Sequence, residues 1–304
     1  EPYDKLIIAT GSRAFVPPTE GVTMIDGSLK PGVFVFRTLE DCRNIAAWAR
    51  GKKTAAVIGG GRLGLEAARG LQNFGLDVHV VHNSGHLMQQ QLDAGAGAIL
   101  RTSMEAMGLH VHLKKNTATV IGPEHVLGLR FADGGTLECD MVIISAGIKA
   151  NWEIAAGCGL HVERGIIVDD QMRCPDDPDI YAVGECAQHR GHMYGLVAPL
   201  WEQAKVLADH ITGRNPNAEY TGSKVATKLK VMGVDVASMG IVEPQTPEDE
   251  VVQFSEPKRG TSKKLIIREG RLVGGILLGD ISNAAYLIQP FDPNTPLPEE
   301  RLHL

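Results

Sequence analysis

The sequence predicts an α/β protein in which one complete strand–helix–strand fold is inserted into the back half of a second fold of the same kind, with a small α+β domain behind them. Three observations predict it. Residues 54–82, "TAAVIGGGRLGLEAARGLQNFGLDVHVVH", run as strand, glycine turn, helix and strand with short links. Two distant stretches, "YDKLIIATGS" (3–12) and "IYAVGE" (180–185), each read as a strand closed by a glycine turn. From about Ala218 to Gln289 the pattern becomes alternating strands, as an antiparallel sheet requires.

Taken in order, Lys5–Ala9 is a buried-type strand closed by Thr10-Gly11-Ser12, and Pro17-Pro18 then keep the chain extended. "GVFVF" (32–36) is another strand. "TLEDCRNIAAWAR" (38–50) is a helix, with Thr38 as N-cap and Asp41 at the capping-box position. After the strand–helix–strand unit comes a second helix, "DAGAGAILRTSMEAMG" (93–108). "HVHLKKNTATVIG" (110–122) and "VLGLRFADGGTLECDMVIISAG" (126–147) follow as strands, with Asp133-Gly134-Gly135 as a hairpin turn. "GIIVDDQMRCPDDPDIYAVGE" (165–185) is strand, turn and strand, and a Gly- and His-containing loop leads to an Ala/Leu-rich helix from Ala198-Pro199 to Gly213. The expected segments are 1–45 and 151–215 for the interrupted outer fold, 46–150 for the inserted one, 216–290 for the small domain and 291–304 for a Pro-rich tail or linker.

Composition narrows the function classes. A chain of 304 residues accommodates two or three domains, and 43% apolar with 22% charged residues is an ordinary globular balance. The net charge is −6 with no Lys/Arg block, which argues against nucleic acid. No apolar run approaches the roughly 18–20 residues of a membrane span, and no signal segment opens the chain, so no membrane partner and a cytoplasmic location are expected. The first residue is Glu1, and a buried-type strand begins within five residues, so a piece whose N-terminal part is missing is expected. The five cysteines, at 42, 139, 158, 174 and 186, form no CxxC or CxxxxC pair. Reduced thiols are expected rather than a disulfide framework, a zinc site or a dithiol centre.

The strand–helix turn Gly59-x-Gly61-x-x-Gly64 has the context that makes such a motif informative. The first glycine allows the tight turn, the second lets backbone amides approach a pyrophosphate, and the third lets helix and strand pack closely. The helix N-terminus then offers N–H groups and partial positive charge to phosphates. The position that reads the ribose, at the end of the second strand, is His82. An acid there would select NAD and a nearby arginine NADP. His82 is neither, Arg62 is open to both readings, and NADH is only slightly favoured. Glu66 either faces the nicotinamide end or is a first-turn acid favoured by the helix dipole.

Glu185, just after Gly184, is placed to accept from a sugar hydroxyl of a second nucleotide. The helix that starts near Ala198 has Pro199 in its first turn, where a missing N–H is harmless. Its N-terminus can stabilise negative charge on a bound ring.

"YDKLIIATGS", "VIGGGRLGLEAA", "VIISAGIKAN" and "IYAVGECA", in this order over residues 3 to about 213, resemble the pyridine-nucleotide-dependent FAD oxidoreductases with two dinucleotide-binding domains. "GVFVFRTLEDC", "HVVHNSGHLMQQQLDAGAG", "YGLVAPLWEQAKVLA" and "YTGSKVATKLKVMGVDVASMG" are similar to the flavoprotein front end of the large subunit of assimilatory NAD(P)H nitrite reductases. The resemblance implies a Rossmann-like NAD(P) domain inserted in an FAD-binding domain of similar fold. It implies FAD contacts at Thr10, Gly11, Arg37, Gly184 and Glu185, with Ala198 facing the flavin pyrimidine edge. NAD(P)H contacts would be Gly59, Gly61, Leu63, Gly64, Glu66 and the Ala146-Gly147 turn.

The activity implied is hydride transfer from NAD(P)H to FAD, with electrons passed to an iron–sulfur acceptor. Positioning suffices for such a step, so no acid–base catalytic residue and no metal ligand are expected. The Cys-rich [2Fe–2S], siroheme and [4Fe–4S] parts of that family are absent from this chain, so their module, in the same or a partner chain, is the expected partner. A homodimer is left open. A ferredoxin or rubredoxin-type reductase, a stand-alone electron-transfer subunit, and a non-catalytic nucleotide-binding regulatory protein are the competing readings. His189 and His192 read as a loop pair rather than metal ligands. Tyr194 and Trp201 read equally as flavin cover or core packing.

Overall fold

The computed structural model describes residues 2–224, 226–288 and Phe291; the rest of the expected tail lies outside the described residues. The chain divides into two compact units, Glu1–Phe15 with Gly147–Val225, and Val16–Ala146 with Ala226–Leu304. The first half of the chain supplies β1 (Leu6–Ile8), β2 (Ser12–Ala14), β3 (Val33–Val35), α1 (Leu39–Ala49), β4 (Thr54–Ile58), α2 (Arg62–Asn73), β5 (Asp77–Val81), α3 (Ala94–Ala106), β6 (Leu109–His112), β7 (Thr117–Ile121), β8 (Gly128–Phe131), β9 (Thr136–Glu138) and β10 (Met141–Ile144). There follow β11 (Ile148–Ala150), α4 (Glu153–Gly157), β12 (Ile166–Val168), β13 (Ile180–Ala182), β14 (Ala187–His189) and α5 (Val197–Ile211). The last elements are β15 (Ala226–Val231), β16 (Val234–Gly240), β17 (Glu250–Glu256), β18 (Thr261–Arg268), β19 (Arg271–Leu278) and α6 (Ala284–Ile288).

In the larger unit, β3-β10-β4-β5-β6 form a five-stranded sheet in that order, every pair parallel. A parallel sheet must be covered on both faces, which is why Ala55, Ala56, Val57, Met141 and Val142 form runs with 0% exposure. On one face, Val57, Val78, Val80 and Ile143 join a core with Leu65, Ala68 and Leu71 of α2 and Ile99, Leu100 and Met104 of α3. On the other face, Ala56, Val81, Val142 and Ile144 pack with Val120, Leu129 and Phe131 of the antiparallel sheet β7-β8-β9. The capping box at α1 forms as the sequence predicts: Asp41 N–H donates to Thr38 Oγ1 at 3.1 Å, and Thr38 N–H donates to Asp41 Oδ2 at 2.7 Å. At α3, Asp93 is the N-cap and accepts from Ala96 N–H at 2.7 Å.

The stretch 110–122 divides into β6 and β7 because the chain turns at Lys114, whose φ is +55°. The N–H groups of Lys114 and Lys115 are tied to the carbonyls of Ser84 and His82. Within the stretch read as alternating strands, residues 226–278 form the expected antiparallel sheet, in the order β15-β16-β19-β18-β17. One face places Val231, Val236, Ile276 and Leu278 in the core shared with α2 and α3. The other packs Met239, Ile267 and Leu277 on Ala284, Leu287 and Phe291. Lys264 Nζ reaches Asp93 at 2.9 Å and Glu243 at 2.6 Å.

In the smaller unit, β1 pairs in parallel with β13, β2 antiparallel with β11, and β12 in parallel with β14. Ile8, Ile166, Val168, Ile180, Tyr181, Leu207 and Tyr220 make its core. The sequence treats Lys5–Ala9 as buried throughout. In the structure Ile8 is buried and Ile7 is 49% exposed, because alternate residues of a strand face opposite ways and one face here lies open. The loop expected after Glu185 contains the short strand β14.

Candidate nucleotide-binding turns

The turn between β4 and α2 separates two kinds of glycine. Gly59 has φ +123°, and a Cβ there would stand 2.1 Å from the Ser145 carbonyl oxygen. A Cβ on Gly64 would stand 2.0 Å from the Gly59 carbonyl oxygen. The chain's own packing therefore demands glycine at both. At Gly61 a Cβ would meet nothing within 4 Å, and φ is −82°, which any residue adopts. The room at Gly61 is left at the start of a twelve-residue helix that no side chain caps. The first N–H groups of such a helix have no partner within it and carry partial positive charge. An anionic group can approach the protein backbone there.

The ring of His82 lies beneath this turn, 5% exposed. Its Nδ1 accepts from Gly60 N–H at 3.1 Å, and its Nε2 lies 2.6 Å from Gln89 Oε1. The proton is therefore on Nε2, donated to Gln89. Burial holds the imidazole below its usual pKa, against the opposing bond to Gln89. The Gly60 carbonyl accepts from Met88 N–H at 2.9 Å, so this residue is held through both its N–H and its carbonyl. His82, expected at the ribose-reading position, is thus bonded into the turn itself.

Leu63 is 46% exposed on the first turn of α2. Glu66 is a correction to one reading: α2 begins at Arg62, Glu66 is its fifth residue, and no acid lies in its first turn. The Ala146 end of the following turn borders the same place, its N–H atom lying 3.4 Å from where a Gly59 Cβ would stand.

In the smaller unit, the in-register pairing of β1 and β13, Ile8 opposite Ala182, brings their two glycine turns to the same level. Ser12 Oγ donates to Glu185 Oε2 at 2.6 Å. Gly11 (φ +64°), Gly147 (φ +107°) and Gly184 (φ +95°) each leave nothing within 4 Å of a Cβ position. Gly184 N–H donates at 3.1 Å to Oε1 of Gln203, a side chain of α5 with 0% exposure. Thr10 donates through its hydroxyl to the Asn151 carbonyl, and Asn151 Nδ2 donates back to the Thr10 carbonyl at 2.9 Å. Ala198 lies in the first turn of α5, which no side chain caps. Arg37 belongs to the larger unit, where it is exposed and its backbone N–H donates to Asp41 Oδ2 at 3.0 Å.

Sequence reasoning missed Ser12 and Gln203. Both sit at spacings no motif describes, and only strand register and helix docking bring them to the turns. Trp201 is 70% exposed, so core packing is not its role; it sits on α5 where that helix leaves the core. Tyr194 packs edge-on to Tyr220 at 5.8 Å and accepts from Ser223 N–H at 3.2 Å. His189 is 1% exposed with Nε2 2.8 Å from Asp170 Oδ1, and it meets His192 through backbone hydrogen bonds. Arg190 and His189 together hold the Asp170 carboxyl down at about 2.

All five cysteines are free thiols, and burial pushes Cys139 and Cys174 up to about 12. Among the described residues no helix is long and apolar enough to cross a membrane.

Residues 1–206 match the family of pyridine nucleotide-disulphide oxidoreductases, and residues 226–289 match the rubredoxin NAD+ reductase C-terminal domain. The chain is 45% identical over 299 residues to the nitrite reductase [NAD(P)H] of Bacillus subtilis (strain 168), covering 98% of this chain and 36% of that protein. It is 45% identical over 289 residues to the assimilatory nitrate reductase electron transfer subunit of the same organism, covering 94% of this chain and 36% of that protein. The chain spans about a third of the length of these curated relatives. Among solved structures it is similar to a ferredoxin reductase from Rhodopseudomonas palustris, with a TM-score of 0.82 and 25% identity over 97% of this chain and 72% of that one.

Proposed function

The chain belongs to the pyridine nucleotide-disulphide oxidoreductase family, and on that premise we propose that it is the electron-input segment of an assimilatory NAD(P)H nitrite reductase. The observation that carries the reading is the room at Gly61, Gly11 and Gly184, where a Cβ would meet nothing within 4 Å, in contrast to the chain-filled Gly59 and Gly64; at Gly61, with φ −82°, the chain's own backbone does not require glycine. The proposal assigns 46–150 to NAD(P)H, 1–45 and 151–215 to FAD, and 216–290 to a small C-terminal domain.

In this reading Gly61 and the first turn of α2 hold the pyrophosphate of NAD(P)H, with Leu63, Gly64, Glu66 and the Ala146-Gly147 turn around the rest. His82 holds the turn in shape. Thr10, Gly11, Arg37, Gly184 and Glu185 hold FAD, with Glu185 accepting from a sugar hydroxyl and Ser12 orienting it. The start of α5 at Ala198 directs partial positive charge at the flavin ring. When bound, the two groups supply hydride chemistry and the onward release of single electrons. The five cysteines form no CxxC or CxxxxC pair, so no dithiol relay is proposed for those electrons.

The proposed recipient is an iron–sulfur and siroheme module in the same or a partner chain. NADH is slightly favoured as donor. Five free thiols fit the reducing cytoplasm, where we place the protein. A second reading, a stand-alone subunit feeding a ferredoxin or rubredoxin, is favoured by the match of 226–289 to the rubredoxin NAD+ reductase C-terminal domain.

The test is an absorption spectrum of the protein from its complete natural gene, followed by anaerobic NADH and NADPH titrations. Flavin, siroheme and iron–sulfur features that all bleach are the expected outcome. Flavin bands alone that bleach would support the second reading. A bound flavin that neither nicotinamide bleaches would overturn both and leave a regulatory nucleotide-binding protein; mass measurement of the same sample reads whether two chains pair.

A further inference from the structure

The outer edge of the parallel sheet carries a separate cluster of ligating side chains. β5 and β6 pair in parallel with His79 opposite His110. Side chains alternate along a strand, so Asp77 and His79 share a face with His110 and His112. Val78, Val80, Leu109 and Val111 point the other way, into the core that contains α2 and α3.

Both histidine Nε2 atoms converge on one carboxylate. Asp77 Oδ1 lies 2.9 Å from His110 Nε2, and Asp77 Oδ2 lies 3.5 Å from His79 Nε2. One ligand atom from each of the three residues lies within 4.8 Å of the others. Ligands at about 2.0–2.1 Å from a tetrahedral ion stand about 3.3 Å apart, so the observed spacings need little adjustment. Behind this group, His79 Nδ1 lies 2.9 Å from His112 Nε2. The His79 ring stacks on His110 at 4.5 Å and on His112 at 5.2 Å.

We propose that Asp77, His79 and His110 bind a divalent first-row transition-metal ion of the zinc type, with His112 as the outer partner of His79. Two imidazole nitrogens and one carboxylate oxygen are the donor set such ions take, whereas magnesium and calcium prefer oxygen alone. The side chain of His79 is 15% exposed, and those of His110 and Asp77 are 53% and 54% exposed. The ion is therefore anchored on the inner side and open outward, with a fourth position for water or a group from another molecule. When His79 Nε2 holds the ion, the ring proton sits on Nδ1 and is donated to His112, which fixes the ring's orientation. His79 precedes His82 by three residues, about 10 Å along a strand, so the ion lies apart from the glycine turn and clamps the edge strand β6 to β5. The site does not depend on the proposed electron-transfer role.

The test uses the purified chain, stripped with a chelator, and titrates Zn2+ by calorimetry and Co2+ by visible absorption. One equivalent of Zn2+ and a Co2+ spectrum with imidazole ligation are expected. His110→Asn and Asp77→Asn should each weaken binding at least tenfold, and His112→Gln by about 10- to 100-fold. His161→Asn, which removes an exposed histidine paired with Asp176 in the other unit, should leave binding unchanged. All four are at exposed or half-buried positions, and far-UV circular dichroism checks that each variant folds. Absence of Zn2+ binding overturns the proposal, as does binding that neither His110→Asn nor Asp77→Asn weakens.

Discussion

Ser12 and Glu185 stand 173 positions apart in the chain, and the Ser12 hydroxyl donates to the Glu185 carboxylate at 2.6 Å. The contact exists because β1 and β13 are parallel neighbours in register, so the turns that end them lie side by side. A carboxylate that must accept from a ligand hydroxyl is oriented by such a donor.

Glu185→Ala should lower flavin affinity about tenfold to a hundredfold, the equivalent of one hydrogen bond to a charged group at about 1.5–3 kcal/mol. Ser12→Ala removes one donor to the carboxylate and should give a smaller loss in the same direction. The flavin-to-protein ratio after gel filtration of the complete protein measures both. Full flavin content in Glu185→Ala would remove this residue from the flavin site.

The glycines of the β4–α2 turn should separate into two classes. Gly61→Val meets open room, so the fold should persist while NAD(P)H no longer bleaches the flavin. Gly59→Ala forces a methyl to 2.1 Å from the Ser145 carbonyl at φ +123°, and it should lower the unfolding midpoint. Thermal melts paired with anaerobic NADH titration distinguish them. Nicotinamide reduction that survives Gly61→Val would place the nicotinamide site elsewhere.

His82 should make the protein less stable as pH falls. Its folded-state pKa is depressed, chiefly by burial, so its contribution is fully present above the ordinary imidazole value near 6.5 and fades below it. His82→Asn keeps an acceptor for Gly60 N–H and does not titrate, so urea midpoints between pH 7 and pH 5 should change less than in the wild type. His82→Leu leaves that N–H unpaired, with a loss of about 1–3 kcal/mol at pH 7. Equal slopes for wild type and His82→Asn would show that the ring's burial does not govern the pH response.

Lys264 is the ionic link between the antiparallel sheet and α3 within the larger unit. It and Asp93 are each 7% exposed in their side chains, and Asp93 also caps α3. Lys264→Met should destabilise by about 3–5 kcal/mol, because it strands a buried carboxylate. Lys264→Met combined with Asp93→Asn should recover part of that loss, since Asn still caps a helix. Denaturant unfolding of Lys264→Met, Asp93→Asn and the double variant gives the coupling; strict additivity would mean the pair does not interact.

Local order was legible wherever a short stretch carries its own instructions. Thr38 and Asp41 announced their capping box, Gly59 to Gly64 their strand–helix turn, and the alternation after Ala218 its antiparallel sheet. These features depend on contacts a few residues long or on simple periodicity. Ser12, Gln203 and the partner of Lys264 were not legible, because each acquires its role through register or docking between distant segments. The same holds for Asp77, His79, His110 and His112. Their every-other-residue spacing on two strands is visible, but nothing in it says that β5 and β6 are parallel neighbours with His79 opposite His110.

The sequence by itself determined most of the elements, the family resemblance and the glycine turns, because backbone propensity and steric demand act locally. Only the tertiary structure decided that His82 is bonded inside its turn, that Gly61 faces open room while Gly59 does not, and that two histidines converge on one carboxylate. Those outcomes turn on distances of a few ångströms between residues tens of positions apart, and such distances exist only once strand register and helix packing are in place.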